Sequence, residues 1–239
     1  TIGRRTTPDF APIRFDNRFL HFHAGLGEDV PEPNLSVQTE FDSYRWARPS
    51  QFLDDWRENG IKIPPPIITI LLELEDILPQ YQEEISLSVK ELSTRVGEKP
   101  IFFAYGVECI PVPTYTLPPA STTNSYILGI GGDHIIVDAA ARTAEGLAMI
   151  GRSVERIREN GGRVIGLLFT HRHIDHVGDL TELQKLGPFP ILASAETAES
   201  LPCEVETILT DGDTISLPGV NENQDWRVLI TPGHCPGHI

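Results

Sequence analysis

Val164-Ile-Gly-Leu-Leu-Phe-Thr170-His171-Arg172-His173-Ile174-Asp175-His176-Val177-Gly178 decides how this chain is read. Its apolar first half has the length and composition of a buried strand. The strand ends in three histidines and one aspartate packed into six residues. On extended chain the side chains at 171, 173 and 175 fall on one face, because the strand repeat is two residues. A bend before Val177-Gly178 would bring His176 round to the same side. Imidazole and carboxylate together suit zinc and similar divalent ions, which they bind at about 2.0–2.2 Å. The competing reading is a polar loop of hydrogen-bonded histidines. Three histidines converging beside one aspartate without a metal are electrostatically unfavourable whenever the histidines protonate, because the imidazolium rings repel one another, so the metal reading is favoured.

Thr170-His171-x-His173-x-Asp175-His176 after a hydrophobic strand resembles the signature of the metallo-β-lactamase fold hydrolases, and the resemblance runs from about Tyr105 to Ile239. Within that superfamily the chain is similar to the glyoxalase II branch and to the lactamase-β-like thioesterase or ribonuclease branches. Asn124-Ser-Tyr126-Ile stands where the family has an Asn-x-Tyr-Leu strand. Val137-Asp138-Ala139-Ala140 stands where it has Ile-Asp-Thr-Gly, so the usual Thr-Gly is lost. Asp138 then reads either as a residue that orients ligand imidazoles from behind or as a cap for the next turn. The resemblance implies an α/β fold over 98–239, the N-terminal half of an αββα metallo-β-lactamase sandwich.

A second histidine loop follows at Thr231-Pro-Gly-His234-Cys235-Pro-Gly-His238. The resemblance implies that His234 joins His171 and His173 on one metal, and that Asp175 and His176 begin the site of another. His238 matches a supporting position. Cys235 stands where the family has a small polar residue, behind the ligands. One or two zinc ions are implied, with iron or manganese as alternatives. The implied chemistry is hydrolysis by a metal-activated water that Asp175, as the catalytic residue, would orient. Flavodiiron-type oxidoreductases of this fold carry Glu where His173 stands, which favours the hydrolase branch. The family's bridging Asp and last His would fall beyond Ile239, so the chain reads as a fragment that alone would hold one metal poorly and turn over little.

The rest of the catalytic half reads as alternating elements. Thr123–Gly129 and His134–Asp138 are predicted as strands joined by a turn at Gly131-Gly132-Asp133, with His134 structural. Leu147, Ile150, Val154 and Ile157 mark a helix ended by Asn160-Gly161-Gly162. A short helix over Leu180–Leu186, a strand at Ile191–Ala193 and an antiparallel pair, Asp211–Leu217 with Trp226–Ile230, complete the pattern.

Residues 1–97 differ in style. Arg14–His23 alternates as a strand, with His21 and His23 on one face but no third ligand nearby. A loop over Gly25–Asn34 and a strand over Glu40–Trp46 precede a helix that Ser50 is expected to cap. Thr6-Thr7-Pro8, Arg14-Phe15-Asp16-Asn17-Arg18-Phe19 and the Glu40…Trp46 strand resemble the C-terminal half of a Nudix hydrolase domain, an α+β remnant without its glutamate-rich catalytic box. Glu73-x-Glu75-Asp76 reads as a solvated helix face. Ile67, Ile70, Leu71, Leu74 and Leu78 form its apolar stripe, and a second helix carries Tyr81, Ile85, Val89, Leu92 and Val96. The domain boundary is expected at 97/98, with the second helix as a connector.

Composition bounds the partners. Acidic residues outnumber basic ones 34 to 19, a formal charge of −15, which disfavours nucleic acid and anionic membranes. Arg142, Arg152, Arg156, Arg158 and Arg163 keep a local basic strip open. Three scattered cysteines, no apolar run of membrane-spanning length and no apolar leader point to a cytoplasmic protein, and the acidic surface and glyoxalase-like spacing favour a small-molecule substrate. A small ester or thioester is the substrate class favoured. A metal-dependent endoribonuclease, a non-catalytic metal-binding module and a nucleotide pyrophosphatase are the alternatives.

Overall fold

The computed structural model describes residues 2–7, 13–22, 44–95, 99–219 and 221–239. They form two compact units, one of residues 2–7 and 15–99, the other of residues 13–14 and 100–239.

In the first unit, β1 (Gly3–Thr6) pairs antiparallel with β2 (Asp16–Phe19), and three helices follow: α1 (Pro49–Arg57), α2 (Pro65–Gln80) and α3 (Ile85–Leu92). Ile70, Ile77 and Leu92 form its small core, with Ile2, Phe19, Leu74 and Tyr81 against them. The expected Arg14–His23 strand is shortened to four residues, and His21 is exposed coil. His23, the Gly25–Asn34 loop, residues 40–43 and Val96 lie outside the described residues. Tyr44–Arg48 is irregular rather than strand. Arg48, not Ser50, is the N-cap of α1: Pro49 takes the first helical position, where a missing N–H costs nothing, and the Arg48 N–H donates to Gln51 Oε1 at 2.9 Å.

The acids of α2 also depart from a solvated face. Glu73 accepts from Arg5 at 3.1 Å and from Lys99, Glu75 from Arg57 at 2.6 Å, and Asp76 from Arg95 at 2.9 Å. The buried side of α2 includes Ile68 and Ile77, outside the expected stripe, because packing on both α1 and α3 covers more of the helix than one stripe.

The second unit is built on one seven-stranded sheet whose spatial order is the chain order: β3 (Ile101–Ala104), β4 (Val107–Pro113), β5 (Thr122–Leu128), β6 (Asp133–Val137), β7 (Arg163–Phe169), β8 (Ile191–Ser194) and β9 (Thr207–Leu209). β3 to β6 run antiparallel and β6 to β9 parallel. Parallel neighbours need crossovers. α4 (Ala144–Glu159) links β6 to β7; α5 (Ile174–Val177) and α6 (Leu180–Leu183) link β7 to β8; α7 (Ala195–Ala198) links β8 to β9. The Thr143 side chain accepts from the Gly146 N–H and so caps α4. The strands over 122–128, 133–137 and 163–169 and the helix over 144–159 coincide with the sequence expectation to within a few residues. β3, β4, α5, β9 and α7 lie outside that expectation.

Strand alternation gives the sheet two apolar faces. Ile110, Ile127, Ile136, Leu167, Phe169 and Ile191 pack against Ile150, Val154 and Ile157 of α4. Ile135 and Leu168, one residue out of phase, face Leu217 and Val228 beside an antiparallel ribbon of β10 (Thr214–Leu217) and β11 (Gln224–Arg227). β11 stops at Arg227, so the approach to His234 is irregular chain rather than the strand expected through Ile230. Among the described residues no helix is long and apolar enough to cross a membrane.

Phe169 is fully buried at the last position of β7. Phe169→Ala should cost about 3–5 kcal/mol of unfolding free energy through lost transfer energy and the cavity left behind. A denaturant titration showing a loss below about 1 kcal/mol would mean that this strand end is not closely packed.

Candidate metal centre

Parallel strands end at one edge of a sheet, and loops from different strands meet there. Four segments do so here. Asp138 follows β6, Thr170 to Gly178 follow β7, Ser194 closes β8, and the loop from Thr231 to Ile239 is tied in by the Ile239 N–H donating to the Thr170 carbonyl at 3.0 Å.

The strand does not continue through the histidines. β7 ends at Phe169, and His173 is extended at φ −67°, ψ 141° as the N-cap of α5, so Asp175 and His176 lie on a helical turn. The expected common face of 171, 173 and 175 is therefore replaced by a turn that separates Asp175 from the other two. The His173 carbonyl accepts from the N–H groups of His176 at 2.9 Å and Val177 at 3.0 Å, which closes that turn.

Two donor groups result. His171, His173 and His234 form one, and Asp138, His171 and His176 the other; in each, the ligand atoms lie within 4.8 Å of one another. Asp175 is in neither group, although its charge reaches the His176 ring. His173 Nδ1 and His234 Nε2 are 3.0 Å apart. Donors about 2.0–2.1 Å from a tetrahedral ion lie about 3.3 Å from one another, so this spacing is close to that of two ligands on one metal. His171 Nε2 is buried without a hydrogen-bond partner. Leaving such an atom unsatisfied costs about 1–3 kcal/mol, which a metal ion would remove. Burial, reinforced by the neighbouring His176, holds the His171 pKa down to about 4, so the ring is neutral and able to ligate near pH 7. The residues present fit a divalent metal.

Behind the rings stands Asp138, 5% exposed and in the left-handed region at φ 51°. It accepts from the Thr170 N–H at 2.7 Å and the Thr170 hydroxyl at 2.6 Å, and pairs with His176 Nδ1 at 2.8 Å. Burial lowers the His176 pKa, but the hydrogen bond and charge of Asp138 outweigh it, and the net shift is upward. Of the two sequence readings of Asp138, the geometry matches support of the imidazoles: its side chain accepts from the metal loop, while Thr143 caps α4.

The second histidine loop has its own clamp. Ser194 and Thr197, both fully buried, donate their hydroxyls to the Gly237 carbonyl at 2.5 and 3.2 Å. Neither residue carries a signal in the sequence, because hydroxyls at a strand–helix junction read as an ordinary cap. His238 Nδ1 meets the Thr231 hydroxyl at 2.7 Å, a bond that closes the loop around His234. Cys235 is buried and belongs to neither donor group. His134 is held beneath Gly129, with burial lowering its pKa, and also lies outside both groups.

Three of the five candidate arginines lie away from this edge. α4 runs back against the parallel strands, so its last turn lies at the opposite end of the sheet. There Arg156 pairs with Glu108 at 2.5 Å, Arg158 donates to the Leu186 carbonyl at 2.6 Å, and Arg163 pairs with Asp133 at 2.7 Å.

The Metallo-beta-lactamase superfamily model matches residues 118–239, about half of the chain. The chain belongs to this superfamily. A hydroxyacylglutathione hydrolase of Acidiphilium cryptum is 29% identical over 123 residues, which cover 52% of this chain and 45% of that protein. An atrochrysone carboxyl ACP thioesterase of Aspergillus chevalieri is 32% identical over 118 residues, covering 49% of this chain and 35% of that one. The chain thus spans about half, or less, of the length of the curated relatives it matches. Among solved structures, a motif-mutant metallo-beta-lactamase of Cronobacter sakazakii aligns with a TM-score of 0.45 at 23% identity, covering 59% of this chain and 57% of its own. Members of the superfamily bind metal ions, usually zinc, and the histidine cluster of this member fits a metal site.

Gly178 ends the metal loop at φ 78°, ψ −155°, a region reserved for glycine, and a Cβ there would sit 2.7 Å from the Ala141 carbonyl oxygen. Gly178→Ala should cost about 1–3 kcal/mol in stability, read by denaturation, because the obstructing atoms are backbone. An unchanged midpoint would show that the loop can re-form elsewhere.

Proposed function

We propose that this chain carries part of the metal centre of a hydrolase that turns a metal-activated water on a small ester or thioester. The observation that supports it best is the buried, unpartnered His171 Nε2 grouped with donor nitrogens of His173 and His234. A divalent ion held there would supply Lewis acidity, which brings the pKa of a bound water toward about 7 and favours attack on an acyl carbon. His171, His173 and His234 would hold that ion; His176 and Asp175 would begin a second site, with Asp175 orienting the attacking water. Zinc is the proposed metal, with iron or manganese as substitutes.

The thioester class is supported by the relatives, one a hydroxyacylglutathione hydrolase and another an ACP thioesterase. An endoribonuclease is less well supported, because Arg156, Arg158 and Arg163 are paired at the far end of the sheet. Residues 1–97 are proposed as the C-terminal portion of a Nudix-like domain with its helical connector, on their motif resemblance alone, and residues 98–239 as the first half of the catalytic domain.

Elemental analysis of the purified chain should give about one metal ion per chain, and His171→Ala should lose it. Cleavage of an acyl-glutathione thioester by this chain should be slow, and what there is should be abolished by chelator, restored by zinc and absent in His171→Ala. Chelator-insensitive hydrolysis, or equal metal content in the two proteins, would overturn the proposal.

A further inference from the structure

Thr170 lies between the buried carboxylate and the most buried imidazole of the site. Its hydroxyl is 2.6 Å from Asp138 Oδ2 and 2.9 Å from His171 Nδ1, and its N–H donates to Asp138 Oδ1 at 2.7 Å. A hydroxyl has one proton to give and can accept on its lone pairs, whereas a carboxylate only accepts. The contact to Asp138 therefore consumes the Thr170 proton. The reverse orientation would set two oxygens 2.6 Å apart with no proton between them. With its proton committed, Thr170 can only accept from His171, so Nδ1 carries the imidazole hydrogen and Nε2 carries the lone pair. Nε2 is the atom left buried and without a partner.

We infer that Thr170 is a positioning residue that relays the orientation of Asp138 to His171 and locks His171 in the tautomer that presents Nε2 to a divalent metal. Asp138 acts on His176 directly through Nδ1 and on His171 through the threonine, so one carboxylate sets two rings. Histidine ligands are commonly oriented by a carboxylate or backbone carbonyl on the second ring nitrogen; here a hydroxyl is interposed. It is held from both sides, since the Thr170 carbonyl receives the Ile239 N–H at 3.0 Å. The consequence for metal affinity rests on the proposed function; the tautomer itself does not.

The test uses the metal-free chain and zinc alone. In a long-range proton–nitrogen correlation spectrum of the wild type, His171 should appear as the Nδ1–H tautomer. Thr170→Val keeps the shape and removes the hydroxyl, and should weaken zinc binding, read by chelator competition, about 10–100-fold. Thr170→Ser should restore affinity to within about threefold of the wild type, which a purely steric role for the β-methyl group would not allow. Chemical denaturation of each metal-free variant checks that the fold is kept, and if the valine variant does not fold, the wild-type spectrum and the serine variant still decide. An Nε2–H tautomer in the wild type, or wild-type affinity in a folded Thr170→Val, would overturn the relay. An Nδ1–H tautomer in a wild-type chain that binds no zinc would support the relay while overturning the proposed metal centre.

Discussion

A carboxylate that is 5% exposed must be surrounded by donors or it will not stay where it is, and Asp138 is met by a backbone N–H, a hydroxyl and an imidazole. All three come from the segment just after β7. Asp138 thus does for the polar edge of the sheet what Ile136 and Phe169 do for its interior, joining the ends of β6 and β7. Its left-handed backbone, and that of Ala140 at φ 58°, show that the loop is held to shape rather than relaxed. Backbone bonds from Ala140 to the His176 carbonyl and from Asp179 to the Ala141 carbonyl fasten the same two segments together.

From that junction the donor cluster is assembled. β6, β7 and β8 are parallel and adjacent, so the loops at their C-terminal ends emerge at one edge, and the Thr231–Ile239 loop is drawn in by its bond to Thr170 and by the hydroxyl clamp on Gly237. Three imidazoles then face one another, and among the described residues nothing pairs with the Nε2 of His171. Burial keeps His171 neutral, and a neutral imidazole is what a metal needs. A loop of satisfied histidines would have paired that nitrogen; this one leaves it free.

The acidic composition takes on local meaning in the same way. In the first unit the acids of α2 are matched by Arg5, Arg57, Arg95 and Lys99, and in the second the arginines at the end of α4 and the start of β7 are matched by Glu108 and Asp133. Three of the five arginines that might have formed a phosphate-binding strip are instead structural partners. The donor cluster is left to histidines and one carboxylate, a set suited to a metal rather than to an anionic polymer.

Much of this was legible in the amino-acid order. Apolar alternation in 122–128 and 133–137, the continuous run in 163–169 and the 3.6-residue repeat in 144–159 are local properties, and they named the sheet, its crossover helix and the histidine loop without help from the rest of the chain. Chemistry was legible for the same reason: histidine and aspartate at such density have few other uses. What the order could not supply was anything that depends on a turn closing or on a distant neighbour. Whether His173 continues a strand or caps a helix depends on the bonds to its carbonyl, and that choice left Asp175 outside both donor groups. Ser194, Thr197 and Thr170 are ordinary hydroxyl residues until the fold sets a glycine carbonyl or a buried carboxylate beside them. Spacing along the chain determined which residues could form the cluster; contacts between segments 40 or so positions apart, such as Ser194 with Gly237, decided how they face one another, because only the assembled sheet edge brings those atoms within hydrogen-bond reach.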